Sequence, residues 1–374
     1  MQELLSSHRL GDYLAGRNNN LNLIRMIAAS AVLISHAYPI ALGPGTPEPF
    51  ENLTRMTLGG IAVAIFFALS GLLIARSFDR KKTLVHFAAA RIMRLFPALL
   101  VVLALTVLAG AALTDLSLQA YFLSPETLSY IPRNLSLAFL QYPLPGVFDT
   151  NAYGDPINGS LWTLFYEVVC YLGVVCVGLI GLLRRRVLFS LAFAALTAGY
   201  LYALHWEPQS GIAMRLDLLM ILGFPFGLGM MAYVWRDKFT LDLRFAAVLW
   251  ALCVPAAHTP FLPAFVLVAL IYSVAWFGFI PKGALLNYNR LGDYSYGMYI
   301  FAFPIQQMFA HLVPQADPLG NMAFAFPLTL VCAIASWHLV ENAALAKVHP
   351  LADRITKRLG LEARSQRPGE SRQA

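Results

Sequence analysis

The sequence predicts an all-α fold, a polytopic transmembrane helical bundle of about ten spans with both termini cytoplasmic. Three observations carry this. The 374 residues are 58% hydrophobic and 13% charged, with a mean hydropathy of +0.62, whereas soluble domains carry about 25% charged residues. Ten stretches are long enough to cross a bilayer: 21–42, 58–77, 95–114, 160–183, 187–205, 212–234, 243–257, 261–281, 292–313 and 322–345. Threading them with the N-terminus inside puts 23 of the 27 lysines and arginines on the inner side, leaves Arg55, Arg133 and Arg215 in outer loops, and puts Arg25 within a span. That bias is the positive-inside rule, and a missed span would scramble it downstream. The net charge of +7 is therefore topological. No nucleic-acid motif interleaves with the basic runs, and no nucleic-acid partner is expected.

Taken in order, the first apolar run follows about twenty polar residues and reads as a retained signal anchor. Span two carries a small-residue stretch ending at Ser70 and Gly71, which lets backbones approach closely. Arg91 and Arg94 sit where span three begins. Residues 121–142 are apolar and aromatic but broken by Pro125 and Pro132, which fits an interfacial or re-entrant piece better than a span. Span four carries Ser160, Thr163, Glu167 and Tyr171 at helical spacing. The seventh stretch is short. Span nine carries Ser295, Tyr299 and Gln306 on one stripe. Trp162 and Trp337 mark span ends, as aromatic-belt residues do, and His338 and Glu341 stand at the inner end of span ten. The domain reading is one transmembrane unit, 1–345, and a basic tail, 346–374, a surface helix followed by disorder. Cys170, Cys176, Cys253 and Cys332 lie in apolar runs without a CxxC, so they read as packing residues, with no metal site.

Charged groups inside spans point to function, because an arginine at a helix centre costs about 2.5–3.5 kcal/mol on insertion scales. Span one holds both Arg25 and His36. Eleven positions bring them to about 20° past three full turns, so they share a face about 16 Å apart. His36 is expected about 22 Å above the inner surface, Gln306 about 21 Å up, and Glu167 about 10 Å below the outer one. A carboxylate level with an imidazole would orient it as a base toward a hydroxyl. Arg25, Arg91 and Arg94, flanked by Lys282 and Arg290, make a basic inner mouth suited to a phosphorylated ligand. A transporter or flippase using Arg25, His36 and Glu167 as a polar path is the competing reading.

Six motifs then stand in order along the spans. They are LNLIRMIAASAVLISH with Arg25 and His36; FFALSGLLIA with Ser70 and Gly71; RIMRLFPALL with Arg91, Arg94 and Pro97; NGSLWTLFYEVVCYL with Trp162, Thr163 and Glu167; LGDYSYGMYI; and SWHLVE ending in Glu341. Together they resemble acyltransferase family 3, integral-membrane enzymes that O-acylate surface polysaccharides, lipopolysaccharide and related acceptors. Two departures stand out. Asn22 replaces the usual aspartate before the first arginine. Ile300, Phe301, Ala302 and Phe303 follow the Ser-Tyr-x-x-Tyr stretch, where many members have a histidine, whose role would be absent or moved to Gln306 or Gln307. The resemblance implies an acyltransferase of groups other than aminoacyl groups, in the bacterial inner membrane. It implies acyl-CoA, in the first instance acetyl-CoA, as co-substrate rather than bound cofactor. The acceptor would be a glycan or lipid-linked glycan at the outer face, amid membrane lipids. In that scheme Arg25, Arg91, Arg94, Ser70 and Gly71 hold the donor. His36 is general base or transient acyl carrier, oriented by Glu167, and Trp162, Thr163, Tyr171, Ser295, Tyr299, Gln306 and Glu341 serve the acceptor or support the site.

Overall fold

The computed structural model describes residues 8–16, 18–81, 83–206 and 211–360. Its long helices are α1 (Leu21–Leu42), α2 (Leu58–Asp79), α3 (Leu84–Leu113), α4 (Trp162–Leu179), α5 (Arg186–Ala203), α6 (Gly211–Val234), α7 (Leu243–Ala256), α8 (Leu262–Phe279), α9 (Ser295–Leu312) and α10 (Pro318–Ser336). Local sequence sets several starts. Thr57, Thr83 and Asp317 each accept a hydrogen bond from a first-turn amide, those of Gly60, His86 and Gly320, which satisfies a donor the helix leaves open. Through the turn Trp337–Glu341 and the short helix Asn342–Ala346, α10 leads into α11 (Val348–Arg358). α11 packs on the start of α3, where Asp353 lies 2.9 Å from His86. The rest of the tail, expected to be disordered, lies outside the described residues.

Eight of the described helices are long and apolar enough to cross a membrane. The two remaining expected spans miss for different reasons. α7 has 14 residues, about 21 Å of helix against a hydrocarbon core of about 30 Å. α9 has the length, 18 residues, but less apolar character, and it is buried along most of its course by its neighbours. Its polar side chains therefore bond within the protein rather than face lipid.

α1 stands at the centre, packed by α2, α9 and α10, while α6 lies along α2 and α5 lies on α6. The α2–α6 approach depends on two glycines. A Cβ on Gly71 would fall 2.0 Å from the Phe226 carbonyl oxygen, and one on Gly229 would fall 1.9 Å from that of Ala68. The periphery, α5 and α7, exposes Val187, Leu191, Val248 and Val254, as lipid-facing surfaces do.

Contacts between loops agree with the charge-derived topology. His8–Arg9 pairs with Thr240–Leu241, joining the N-terminal segment to the α6–α7 loop. Asn20 donates to the Phe277 and Pro281 carbonyls at the end of α8. On the opposite side Arg55 donates to the Thr259 and Ala257 carbonyls of the α7–α8 loop. Each link joins segments separated by an even number of crossings. The 121–142 region forms short helices, Leu118–Leu123 and Pro125–Leu135, rather than a span. Beyond it the outer loop is fixed to α9. Gln307 donates to the Gly154 and Pro156 carbonyls at 3.0 and 2.9 Å, and Asn158 donates to the Ile300 carbonyl at 2.9 Å.

Candidate functional site

Two of the cavities within the bundle are lined by charged and titratable side chains. The inner one, about 410 Å³, is lined by Arg25, Arg91 and Arg94 from α1 and α3, by Ser70, Glu167 and Tyr171, and by Ser295. Its charges form a network. Arg94 donates to Asp293 at 2.6 Å and to Glu341 at 3.2 Å. Arg25 reaches the same Asp293 oxygen at 3.5 Å. Asp293 also accepts from the Ser295 hydroxyl at 2.5 Å. Glu341 accepts from the Ser336 hydroxyl at 2.8 Å and sits at the end of a π-helical turn, Trp337–Glu341, a feature frequent at functional sites. The Tyr171 hydroxyl donates to Glu167. Arg91 differs from Arg94. It lies between the Tyr171 and Phe87 rings, 5.8 and 6.0 Å from their centroids, has no carboxylate within ion-pair distance among the described residues, and its Nε has no partner.

The outer cavity, about 380 Å³, is lined by His36, Glu48, Tyr153, Ser160 and Trp162. His36 packs edge-on to the Phe303 ring, centroids 5.1 Å apart, and its buried Nδ1 has no hydrogen-bond partner among the described residues. Glu48 accepts from the Ser35 hydroxyl. Gly59 leaves room for that bond, since a Cβ there would lie 2.7 Å from the Ser35 oxygen. Burial holds the Glu48 carboxyl above the usual carboxylate range, reinforced by nearby Glu51. The Ser35 bond and the amides of Leu58 and Gly59 pull the other way. Val63, Thr163 and Tyr299 line both cavities. Thr163 and Tyr299 share a hydrogen bond of 2.5 Å, and Tyr299 donates to the Ser160 carbonyl at 2.8 Å. These side chains are the wall between the two chambers.

The structure separates residues that sequence reasoning had joined. Glu167 lines the inner cavity with the arginines and bonds Tyr171, so it does not orient His36. Axial depth alone had suggested a pair; which face of α4 meets α1 is a packing outcome. Gln306 lines neither cavity. Fully buried, it donates to the Leu33 carbonyl at 2.9 Å and to Asn321 at 3.0 Å, clasping α9 to α1 and α10. Gly71 likewise lines neither cavity and serves the α2–α6 contact. Glu341 is buried behind Arg94 rather than in contact with a chamber. Trp162 belongs to the outer cavity wall, beyond an aromatic-belt position.

Sequence reasoning missed two carboxylates. Asp293 could have been found, because three arginines gathered at one membrane depth require counter-charges and Asp293 opens span nine. Glu48 had no such signal. It lies in an irregular loop, GPGTPEPF, where no periodicity shows which side chain turns inward.

With this geometry in view, a family model described as an acyltransferase domain matches residues 18–338. The chain belongs to acyltransferase family 3. It is 31% identical over 352 residues to an O-acetyl transferase of Shigella phage Sf6, covering 89% of this chain and 98% of that protein. It is 26% identical over 363 residues to nodulation protein 10 of Rhizobium leguminosarum bv. viciae, covering 89% of this chain and 95% of the relative. No solved structure matches. The protein is thus a multi-pass membrane O-acyltransferase, as the six motifs implied.

Proposed function

We propose that the enzyme moves an acyl group, in the first instance acetyl, from cytoplasmic acyl-CoA to a hydroxyl of a glycan or lipid-linked glycan at the outer face of a bacterial inner membrane. The observation that carries this is the arrangement of two chambers sharing one thin wall at Val63, Thr163 and Tyr299, cationic on one side and holding an unpartnered imidazole on the other. A Shigella phage relative bearing the name O-acetyl transferase supports the acetyl group.

In this reading the donor enters the inner chamber. Arg91 and Arg25 meet its phosphates, since guanidinium pairs with phosphate bidentately. Arg94, already neutralised by Asp293 and Glu341, holds that chamber in shape. The thioester reaches the shared wall, and the acceptor hydroxyl stands in the outer chamber beside His36. The imidazole takes the hydroxyl proton as the oxygen attacks the thioester carbonyl carbon. The carbon–sulfur bond breaks, the CoA thiolate leaves and takes up a proton, and the ester remains on the acceptor. Transient transfer of the acyl group to His36 before the acceptor attacks fits the same chamber.

The test uses purified full-length protein, labelled acetyl-CoA and glycolipid extract from the host. Label transfer and release of free CoA should fall by roughly a hundredfold or more in His36→Ala. Undiminished transfer by that variant would sink the assignment.

A further inference from the structure

The outer surface carries a second feature that the acyl-transfer reading leaves unused. The chain keeps almost all its cations inside, and only Arg55, Arg133 and Arg215 lie in the outer loops or at their edge. Arg55 is occupied in joining two loops. Arg133 and Arg215 instead converge on one groove of about 700 Å³, between the 133–142 segment and the outer ends of α4 and α6. Both are exposed. Arg133 spends only its Nε, on the Phe139 carbonyl at 3.3 Å. Arg215 lies 6.0 Å from the Phe165 ring centroid. Among the described residues, neither has a carboxylate within ion-pair distance. Two cations kept outside against the topological bias, sharing one groove and without a paired carboxylate among the described residues, suit an anion.

The rest of the groove narrows what that anion belongs to. Tyr142, Trp162 and Tyr166 supply aromatic faces, which suit the apolar faces of sugar rings. Leu137, Phe139, Leu140, Met214 and Leu218 make its apolar side, and the neighbouring Ile212 and Leu216 are exposed, a surface that suits a hydrocarbon chain at the membrane boundary. Trp162 also lines the His36 cavity, so an occupant of the groove can continue toward the imidazole.

We propose that this groove binds the phosphate of a lipid-linked glycan acceptor. The phosphate or diphosphate sits between Arg133 and Arg215, the sugar lies on Trp162 and Tyr142 with a hydroxyl directed to His36, and the lipid chain runs out past Met214. A phospholipid would supply the phosphate and the chain but leave the aromatic faces without a partner. The proposal rests on the acyl-transfer reading for the direction of the sugar. The binding of the phosphate does not depend on it.

The experiment measures equilibrium binding of radiolabelled farnesyl diphosphate to the full chain in nanodiscs. Wild type should bind it, and the Arg133→Gln/Arg215→Gln double variant should bind roughly tenfold more weakly or worse, the loss expected when charge-assisted hydrogen bonds are removed. Arg133→Lys/Arg215→Lys should fall between, and farnesol should bind wild type and variants alike. Retention of acetyl-CoA binding by the variants checks that they are folded. Equal affinity of wild type and the double glutamine variant for farnesyl diphosphate would overturn the proposal. So would displacement of the probe by phosphatidylglycerol as effective as by unlabelled farnesyl diphosphate, since the groove would then be a phospholipid site. His36→Ala should keep full affinity for the probe, so this measurement and the acyl-transfer test can fail separately.

Discussion

The inner and outer chambers are nearly equal in volume, about 410 and 380 Å³, yet they treat their polar groups in opposite ways. Around the inner chamber Arg94 and Asp293 line it while Glu341 and Ser336 stand behind, and with Ser295 these side chains bond one another; Arg91 alone among the three arginines has no carboxylate partner among the described residues. In the outer chamber, among the described residues, His36 has no bond at its buried Nδ1, and Ser35 is the one side chain that donates to Glu48. A buried charge left single costs several kcal/mol, and a network spreads that cost over its members. The inner chamber is therefore framed by paired charges, and the outer one holds a buried imidazole nitrogen without a partner among the described residues.

The largest expected effect breaks the frame. Arg94→Ala strands Asp293 and Glu341 without their cation, and should lower stability by about 3–5 kcal/mol, read as an early thermal transition in detergent. If Arg94→Ala melts like wild type, the inner network is not a structural frame. The next effect is on the donor alone. Arg91→Ala removes an arginine with no ion pair, so the melting temperature should hold while KM for acetyl-CoA rises roughly tenfold, as loss of a ground-state phosphate contact requires. An unchanged KM would remove Arg91 from the donor side.

The smallest effect sharpens the outer chamber. Burial raises the Glu48 carboxyl above its ordinary value, so it takes up its proton at a higher pH than an exposed glutamate. If its ionised form serves the acceptor, activity is full above that raised value and falls as pH drops through it. Glu48→Gln should then erase this acid limb in kcat/KM while keeping the rate at neutral pH within about tenfold. A limb unchanged in Glu48→Gln assigns the ionisation elsewhere.

Much of the fold was legible along the chain, because lipid demands long apolar helices and the charge bias orders them. The failures are instructive. Hydropathy does not show that α9 is buried by its neighbours, so Gln306 and Gln307, which its stripe offers as site residues, instead bond other helices and loop backbone. Arg25, Arg91 and Arg94 were placed at one mouth by depth, and the structure brings them to one cavity. Glu167 was assigned to His36 by depth as well, and that inference failed because depth leaves rotation about the helix axis undetermined.

By itself the sequence determined the class of protein, the order of its apolar helices and the family whose motifs it carries. These depend on hydropathy, charge and short local patterns, each of which is a property of consecutive residues. The tertiary structure alone decided which side chains share a chamber. It put Glu167 with the arginines, Asp293 between Arg25 and Arg94, Glu48 near His36, and Thr163 with Tyr299 on the wall between. Those pairings follow from how helices rotate and approach when their surfaces pack, as at Gly71 and Gly229, and contacts between segments distant in the chain leave no periodic trace within either one.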